Sequence, residues 1–286
     1  MLKGQNCLIT GATRGLGSHI ASAFWKAGAN LFLLSRSKEA LDAFVDRFPK
    51  QSGQFIATME ADLNDPAVPK RIIKEARLRF PVLDVIVNNA AMQGPIGALW
   101  ANDWPAWQET VQVNLLSPVA LCRLSVPWME EDGKGKIINL SGGGATGPRA
   151  FFSAYATAKA GLVRFSETLA QETKSLRIDV NCIAPGAMHT TMVEEVLKAG
   201  AAASGDKEYG LALNVHEKGG ALPQKAADLA VFLASSASDG ITGKLISAIW
   251  DPWESFPERI EELQASDIYT LRRIIPKDRG MEWGER

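Results

Sequence analysis

Tyr155 and Lys159 stand four residues apart in the run from Ser153 to Gly161. On a helix this spacing places both side chains on one face, with Cβ atoms about 5 to 6 Å apart. An ammonium held beside a phenol favours the phenolate. We therefore expect Lys159 to lower the pKa of Tyr155, so that it works as an acid or base near neutral pH. Tyr269 and Arg273 share the spacing, so the surroundings must decide which pair does chemistry.

A glycine-rich turn, Thr10-Gly-Ala-Thr-Arg-Gly-Leu-Gly17, follows an apolar segment near the N-terminus and leads into a helical pattern. At a strand-to-helix junction, Gly11, Gly15 and Gly17 would allow a tight turn, close approach to a pyrophosphate and close helix packing. The spacing differs from the common Gly-x-Gly-x-x-Gly fingerprint. The turn predicts a phosphate cradle, and the alternative is a βα turn without a ligand.

The segment after the next strand predicts which nucleotide is bound. In many dinucleotide sites an acidic residue there holds the ribose 2′-hydroxyl, whereas a basic residue accommodates a 2′-phosphate. Here the strand ends at Leu33-Leu-Ser-Arg36, and Arg14 adds a cation within the turn. Because guanidinium groups suit phosphate, we predict NADP(H) rather than NAD(H). The alternative is that both arginines are ordinary surface residues.

Composition limits the class of protein. The chain has 286 residues, 46% hydrophobic, with a formal net charge of -1. This length fits one α/β domain with an appendage, and the mixed charge argues against nucleic acid and favours a small-molecule substrate. The N-terminus lacks a signal-peptide pattern and no apolar run approaches a membrane span, so we expect a cytoplasmic protein without membrane segments.

The cysteines and histidines show no pattern typical of a metal site. Cys7, Cys122 and Cys182 lie far apart in apolar stretches, and none has ligand-like spacing to a histidine. The histidines are His19, His189 and His216. We therefore predict reduced core cysteines and no metal.

Short apolar runs alternate with amphipathic segments of helical length, which predicts βαβ units and a parallel sheet covered by helices on both faces. The predicted strands are Asn6 to Thr10, Leu31 to Leu34, Phe55 to Met59, Val82 to Val87, Lys136 to Leu140, Ile178 to Ile183 and Lys244 to Ile249. The predicted helices are Leu16 to Ala27, Lys38 to Arg47, Val68 to Phe80, Trp104 to Glu130, Ala154 to Lys174 and Gln224 to Ala234, the fourth kinked or shortened at Pro118 and Pro127.

With these motifs in order, the chain resembles the compact single-domain branch of the short-chain dehydrogenase/reductase family over roughly residues 4 to 250. The matching motifs are the Thr10 to Gly17 turn, Asp62-Leu63, Asn88-Asn-Ala-Ala91, Asn114, Tyr155 with Lys159, and Pro185-Gly186 with Thr190. The resemblance implies an α/β fold, a doubly wound, seven-stranded, Rossmann-like parallel sheet. It also implies cofactor contacts from Gly11, Thr13, Arg14, Gly15, Leu16, Gly17, Ser35, Arg36, Asp62, Leu63, Asn88, Ala90, Pro185, Gly186 and Thr190.

The implied activity is hydride transfer between a nicotinamide and a carbonyl or secondary alcohol of a small, partly apolar substrate. Tyr155 would exchange a proton with the substrate oxygen, and Lys159 would bind the nicotinamide ribose. Ser141 would hydrogen-bond that oxygen, and Asn114 would hold a water linking Lys159 to solvent. Two alternatives stay open: a 3-oxoacyl-thioester (acyl-carrier-protein) reductase, and a non-catalytic NADPH-binding regulator.

Two positions depart from the family pattern. Ala91 replaces the usual glycine. The family's catalytic serine falls at the position of Gly142, one residue after Ser141. Ser141 can serve only if the following glycine-rich loop carries an extra residue, and we expect Ser153 to be a helix N-cap instead.

Substrate contacts are expected from a segment at residues 187–222, which is either a mobile lid or plain surface helices, and from loops after the fourth and fifth strands. The residues considered are Met92, Gln93, Trp100, Phe151, Phe152, Met188 and His189, each of which could equally be packing. The extension at residues 251–286 is predicted to be helical and to dock on its own domain or on a neighbouring subunit. The resemblance implies a homodimer or homotetramer.

Overall fold

In a computed structural model, which describes residues 1–49 and 53–284, seven parallel strands form one sheet in the order β3-β2-β1-β4-β5-β6-β7. The strands are β1 (Asn6–Thr10), β2 (Asn30–Ser35), β3 (Ile56–Glu60), β4 (Val85–Asn88), β5 (Gly135–Leu140), β6 (Ile178–Ala184) and β7 (Leu245–Ser247). The order reverses between β1 and β4, so the sheet is doubly wound and Rossmann-like, as predicted. The predicted strands all exist, with ends shifted by up to three residues.

The helices cover both faces of this sheet. They are α1 (Gly15–Lys26), α2 (Lys38–Val45), α3 (Val68–Arg79), α4 (Trp104–Val111), α5 (Ser117–Glu131), α6 (Ser153–Glu172), α7 (Thr191–Ala199), α8 (Ala201–Ser204), α9 (Asp206–Lys218), α10 (Pro223–Ala234) and α11 (Ile260–Ala265). One apolar core lies under α1 and α10, and a second lies on the other face under α3 and α5. No helix within the described ranges is long and apolar enough to cross a membrane.

Strand position explains the hydrophobic pattern. The central strand β1 is buried at all five residues, because helices cover both of its faces. The edge strand β3 is only partly buried along its length. The hydrophobic pattern of β3 is correspondingly weaker. The predicted start of this strand, Phe55, lies one residue before the observed start.

The predicted helix from Trp104 to Glu130 is two α-helices joined by a π-helical segment, Gln112–Leu116. Its i to i+5 bonding inserts a bulge directly before Pro118, and such bulges are frequent at functional sites. Pro127 lies inside α5, which continues to Glu131. The bulge therefore interrupts this helix, whereas Pro127 does not end it.

The segment 187–222 folds as helices α7, α8 and α9, and we call it the lid. Phe152, fully buried, packs against Val196 of α7 and Ala212 of α9. This contact joins the lid to the loop that precedes α6. The lid is therefore a packed helical unit beside the carboxyl end of β6, and its mobility stays a prediction.

The described part of the C-terminal extension packs on its own domain. Phe256 and Leu263 are buried in the core beneath α1 and α10. The Tyr269 carbonyl accepts a hydrogen bond from the backbone N–H of Leu245 at 2.8 Å, so the extension covers part of the open edge of β7. Tyr269 lies outside any helix, at φ 59°. Tyr269 and Arg273 therefore do not share a helix face, although their spacing matches that of Tyr155 and Lys159.

Candidate active site

The glycine turn lies at the carboxyl end of β1, at the point where the strand order reverses and where ligands bind in such sheets. Gly11 and Gly15 adopt positive φ angles of 64° and 51°. A Cβ at Gly17 would lie 2.1 Å from the Gly11 carbonyl oxygen, so only glycine lets α1 approach β1 this closely. The three glycines therefore have the turn and packing roles that the sequence predicted.

The turn fits the pyrophosphate of a dinucleotide. Arg14, the residue before α1, makes no side-chain cap. The N–H groups in the first turn of the helix are therefore available to a ligand. A Cβ at Gly15 would meet no atom within 4 Å, which leaves that face of the turn open. Unpaired N–H groups at the positive end of a helix dipole attract phosphate.

Two residues outside the predicted set hold the turn in place. Thr10 Oγ1 accepts the backbone N–H groups of Asn89 and Ala90, both at 3.0 Å. The Asn89 side-chain amide donates to the carbonyls of Thr10 and Gly11. The hydrogen bonds thus fix the β4 loop against the glycine turn, with Ala90 beside Gly11.

Asn88 is directed into the core rather than toward the turn. Its Nδ2 donates to Asn139 Oδ1 at 2.8 Å and to the Cys122 sulfur at 3.4 Å. The side chain therefore ties β4 to β5 and α5 through Nδ2, while its buried Oδ1 has no partner in the described structure, and the cofactor contact stays a prediction.

The residues expected near the adenosine lie along the carboxyl ends of β2 and β3. Thr13 Oγ1 and Ser35 Oγ are 3.0 Å apart, linking the glycine turn to the end of β2. Arg14 and Arg36 are exposed, and neither forms an ion pair within residues 1–49 and 53–284. Asp62 accepts the Asn64 N–H, and Leu63 is buried. Leu16 is also buried, in the core below α1.

The Tyr155 and Lys159 pair lies on α6, as the spacing predicted. Lys159 Nζ donates to the Leu140 carbonyl at 2.7 Å and lies 5.8 Å from the centroid of the Tyr155 ring. Burial lowers the pKa of Lys159 to about 8. One N–H of the ammonium is thus committed to the end of β5.

The expectation that Lys159 lowers the pKa of Tyr155 is wrong for this structure. Burial raises the pKa of the phenol, and the opposing positive charge comes from Arg149. The sequence spacing could not show that desolvation outweighs the neighbouring cation. The phenol is therefore protonated near neutral pH, and burial makes it a weaker acid than an exposed tyrosine.

Arg149 is a site residue that the sequence analysis missed. Its guanidinium lies 3.8 Å from the centroid of the Phe152 ring and 5.7 Å from that of Tyr155. Its Nε donates to Glu208 of α9 at 2.7 Å, and both side chains are largely buried. A lid helix is thereby tied to a cation beside the Tyr155 phenol. The only sequence signal was an arginine in a loop of small residues.

Ser141, predicted to act with Tyr155 on the substrate oxygen, makes no hydrogen bond to that phenol in the described structure. Ser141 Oγ is buried and has no hydrogen-bond partner in the described structure. Gly142 instead faces the phenol, since a Cβ built on it would lie 2.3 Å from Tyr155 Oη. The backbone at Gly142 thus occupies the space beside the hydroxyl, and the role of Ser141 toward a substrate stays a prediction.

Asn114 lies in the π-helical segment and is fully buried. Its Oδ1 accepts the Met92 N–H at 2.9 Å, and its Nδ2 donates to the Met92 carbonyl at 2.8 Å. The side chain therefore fixes the loop after β4. The amide keeps a second N–H on Nδ2 and a second lone pair on Oδ1, and the water relay stays a prediction.

The predicted substrate residues have different surroundings. Gln93 is buried, and its Nε2 has no partner in the described structure. Phe151 adopts φ 68°, and its ring lies beside Gly205 of the lid, where an added Cβ would be 3.0 Å away. Met188 is buried in the core, whereas Trp100 is almost fully exposed. A buried amide without a partner is the feature of this set that best fits a ligand contact.

The Pro185 motif continues from β6 into the lid. Gly186 has φ 83°, and a Cβ there would lie 2.9 Å from Ile249. Thr190 precedes α7 with no side-chain cap, so its hydroxyl is not used by the helix. This arrangement leaves Thr190 available for the nicotinamide contact that the resemblance implies.

Comparison with known proteins agrees with this geometry. The family described as short chain dehydrogenase matches residues 5–200. The 3-oxoacyl-[acyl-carrier-protein] reductase FabG of Chlamydia trachomatis is 30% identical over 254 residues, covering 86% of this chain and 96% of that protein. D-beta-hydroxybutyrate dehydrogenase of Cupriavidus necator is 31% identical over 258 residues, covering 88% and 97%.

Solved structures show the same fold. Levodione reductase superposes with a TM-score of 0.78 at 25% identity, covering 90% of this chain and 99% of that one. The Pseudomonas aeruginosa RhlG/NADP active-site complex gives a TM-score of 0.74 at 26% identity, covering 86% and 95%. The chain therefore belongs to the short-chain dehydrogenase family of oxidoreductases, which use a nicotinamide cofactor.

Proposed function

We propose that this protein is an NADP(H)-dependent reductase or dehydrogenase that transfers hydride between the nicotinamide and a carbonyl or secondary alcohol of a small, partly apolar substrate. The observation that carries the proposal is the buried Tyr155 beside Lys159, at the same sheet edge as the open glycine turn. The cofactor, when bound, supplies the redox chemistry.

The residues of the chain divide the remaining work. Tyr155 holds the proton that the substrate oxygen receives during reduction, because a phenol whose pKa is not lowered is protonated near neutral pH. Lys159, anchored on Leu140, retains N–H groups for the nicotinamide ribose. The uncapped turn before α1 binds the phosphates, and the lid excludes water beside Phe151 and Phe152.

The preference for NADP(H) rests on Arg14 and Arg36. Both guanidinium groups are exposed at the end of the sheet where the adenosine ribose would lie, and no acidic residue ends β2. The RhlG neighbour was solved with NADP, which supports this choice of cofactor.

Replacing Arg36 with alanine should weaken NADPH binding by about 10- to 100-fold and leave NADH binding unchanged. The reason is that a hydrogen bond to a charged group contributes about 1.5–3 kcal/mol, and only NADPH carries the 2′-phosphate. Fluorescence titration of both reduced cofactors measures the effect. Arg47→Ala, an exposed arginine just after α2, is the matched control. Equal weakening of NADH would contradict the assignment.

NADPH affinity should fall as pH rises through about 8, by up to tenfold per pH unit. The pKa of Lys159 is lowered to about 8, so the ammonium is present below that pH and is lost above it. Its N–H groups and charge would then no longer hold the ribose. Titrations from pH 7 to 9.5 test this, and Lys159→Met should remove the slope. A persisting slope would assign the titration to another group.

A 3-oxoacyl thioester is the second candidate substrate, because 3-oxoacyl-[acyl-carrier-protein] reductases are among the relatives. NADPH oxidation should be assayed against ketones, aldehydes, keto sugars and 3-oxoacyl thioesters. Turnover of small ketones without thioester turnover supports the first proposal, and the reverse supports the second. Tight NADPH binding with no turnover would favour a regulator.

We further propose a cytoplasmic homodimer or homotetramer. Light scattering measures the mass in solution and so tests the oligomeric state.

A further inference from the structure

Three side chains of the lid converge on one point, although their spacing along the chain did not predict a metal site. His189 Nε2 lies 2.7 Å from Glu194 Oε1, and His216 Nδ1 lies 3.0 Å from the same oxygen. The two ring nitrogens are 3.3 Å apart. The three residues come from the loop after β6, the start of α7 and the end of α9.

The backbone fixes these elements without help from the cluster itself. Met188 and Gly220 form an antiparallel bridge, and the Ala221 N–H donates to the Ala187 carbonyl at 2.7 Å. A Cβ at Gly220 would lie 2.5 Å from that same carbonyl oxygen, so glycine permits the close approach. His189 follows this bridge directly.

The other two side chains of the cluster lie on regular helices. Glu194 lies in the first turn of α7, where its N–H donates to the Thr190 carbonyl. His216 lies in the last turn of α9, which ends at Gly219. The cluster is thus held by backbone that is already ordered, and binding an ion there would require little rearrangement.

We propose that His189, Glu194 and His216 form a binding site for Zn²⁺. Zinc–nitrogen and zinc–oxygen bonds are about 2.0–2.2 Å long. With ligand atoms separated by 2.7, 3.0 and 3.3 Å, one point roughly 1 Å out of their plane satisfies all three bond lengths. All three side chains are about half exposed, so a water can take the fourth position.

The donor set selects the type of ion. Two imidazoles and one carboxylate suit Zn²⁺ and its neighbours in the first transition row, whereas Mg²⁺ and Ca²⁺ prefer oxygen ligands. The cysteines do not compete, because Cys7, Cys122 and Cys182 are buried. Burial also raises their pKa, to about 12 for Cys122 and Cys182, and thiols must lose a proton to bind zinc.

A bound ion would join the loop after β6 to two lid helices. That loop carries Thr190, and α9 also carries Glu208, whose carboxylate holds Arg149 beside Tyr155. Zinc would therefore hold the lid in the conformation in which it is tied to the active site. This consequence concerns lid stability and does not depend on which substrate the enzyme reduces.

The test is calorimetric titration of untagged, chelator-treated protein with ZnCl₂. We expect one Zn²⁺ per chain with a dissociation constant on the order of 1 μM, and at least 100-fold weaker binding in His216→Ala and in Glu194→Gln. His19→Ala, which removes an exposed histidine on α1, and Glu195→Gln, next to the cluster, are matched controls that should bind zinc normally.

Amide hydrogen exchange gives a second readout that does not require activity. Zinc should slow exchange in α7 and α9 of the wild-type protein and not in His216→Ala. MgCl₂ at the same concentration should have no effect. The proposal is overturned if the wild type binds no zinc, if either cluster variant binds zinc as tightly as its control, or if zinc binds only by joining chains into larger assemblies.

Discussion

Tyr155→Phe is expected to lower kcat by about 10²- to 10⁴-fold, the range that a positioned general acid contributes, while NADPH binding stays within about twofold. The change removes only the hydroxyl. Tyr155 Oη makes no hydrogen bond to any other residue of the described structure, so no contact of the fold is lost with it. The proposed role of this oxygen toward the substrate can therefore be tested without disturbing a contact of the fold.

The chain offers a matched control in Tyr269→Phe. Tyr269 has a basic residue at the same spacing, Arg273, but lies in a turn of the C-terminal extension. This variant should keep the wild-type kcat. The two variants are compared by steady-state rates and by cofactor titrations. The rates are measured with whichever compound of the substrate panel is turned over. A Tyr155→Phe enzyme that kept more than a few per cent of wild-type kcat would contradict the assignment.

The fold could be predicted because its determinants are local. Apolar runs separated by helical patterns specify βαβ units, and the observed parallel sheet follows from them. The glycine turn was equally predictable, since each of Gly11, Gly15 and Gly17 has a conformational or packing reason within a few residues. The π-helical bulge at Asn114 was not predictable, because no residue pattern distinguishes it from an α-helical turn.

The parts of the site that were missed depend on contacts between distant segments. Arg149 meets Glu208 across 59 positions of the chain, and His189 meets His216 across 27. Contacts between residues so far apart in sequence cannot be predicted from spacing along the chain. The pKa of Tyr155 was predicted with the wrong sign for a related reason: charge is visible in a sequence, whereas the burial that raises this pKa depends on the packed fold.

Gly142→Ala should lower kcat by about 100-fold with cofactor binding nearly unchanged. The added Cβ would lie 2.3 Å from Tyr155 Oη and 3.0 Å from Cε1 and Cζ, so the ring must shift by about 1 Å to restore ordinary contact. A displacement of that size at a reacting group can reduce the rate by about 10². The three atoms nearest to the new methyl group all belong to Tyr155, so the phenol takes the main displacement.

The same loop supplies the control. A Cβ at Gly147 would meet no atom within 4 Å, so Gly147→Ala alters backbone freedom equally without touching Tyr155 and should retain the wild-type kcat. Gly142→Ser places the family's usual residue at this position, yet its Cβ meets the same phenol, so we expect it to lose activity as the alanine variant does. Activity equal to wild type in Gly142→Ser would show that Tyr155 moves aside without loss, and that the space beside its hydroxyl can accept a second donor.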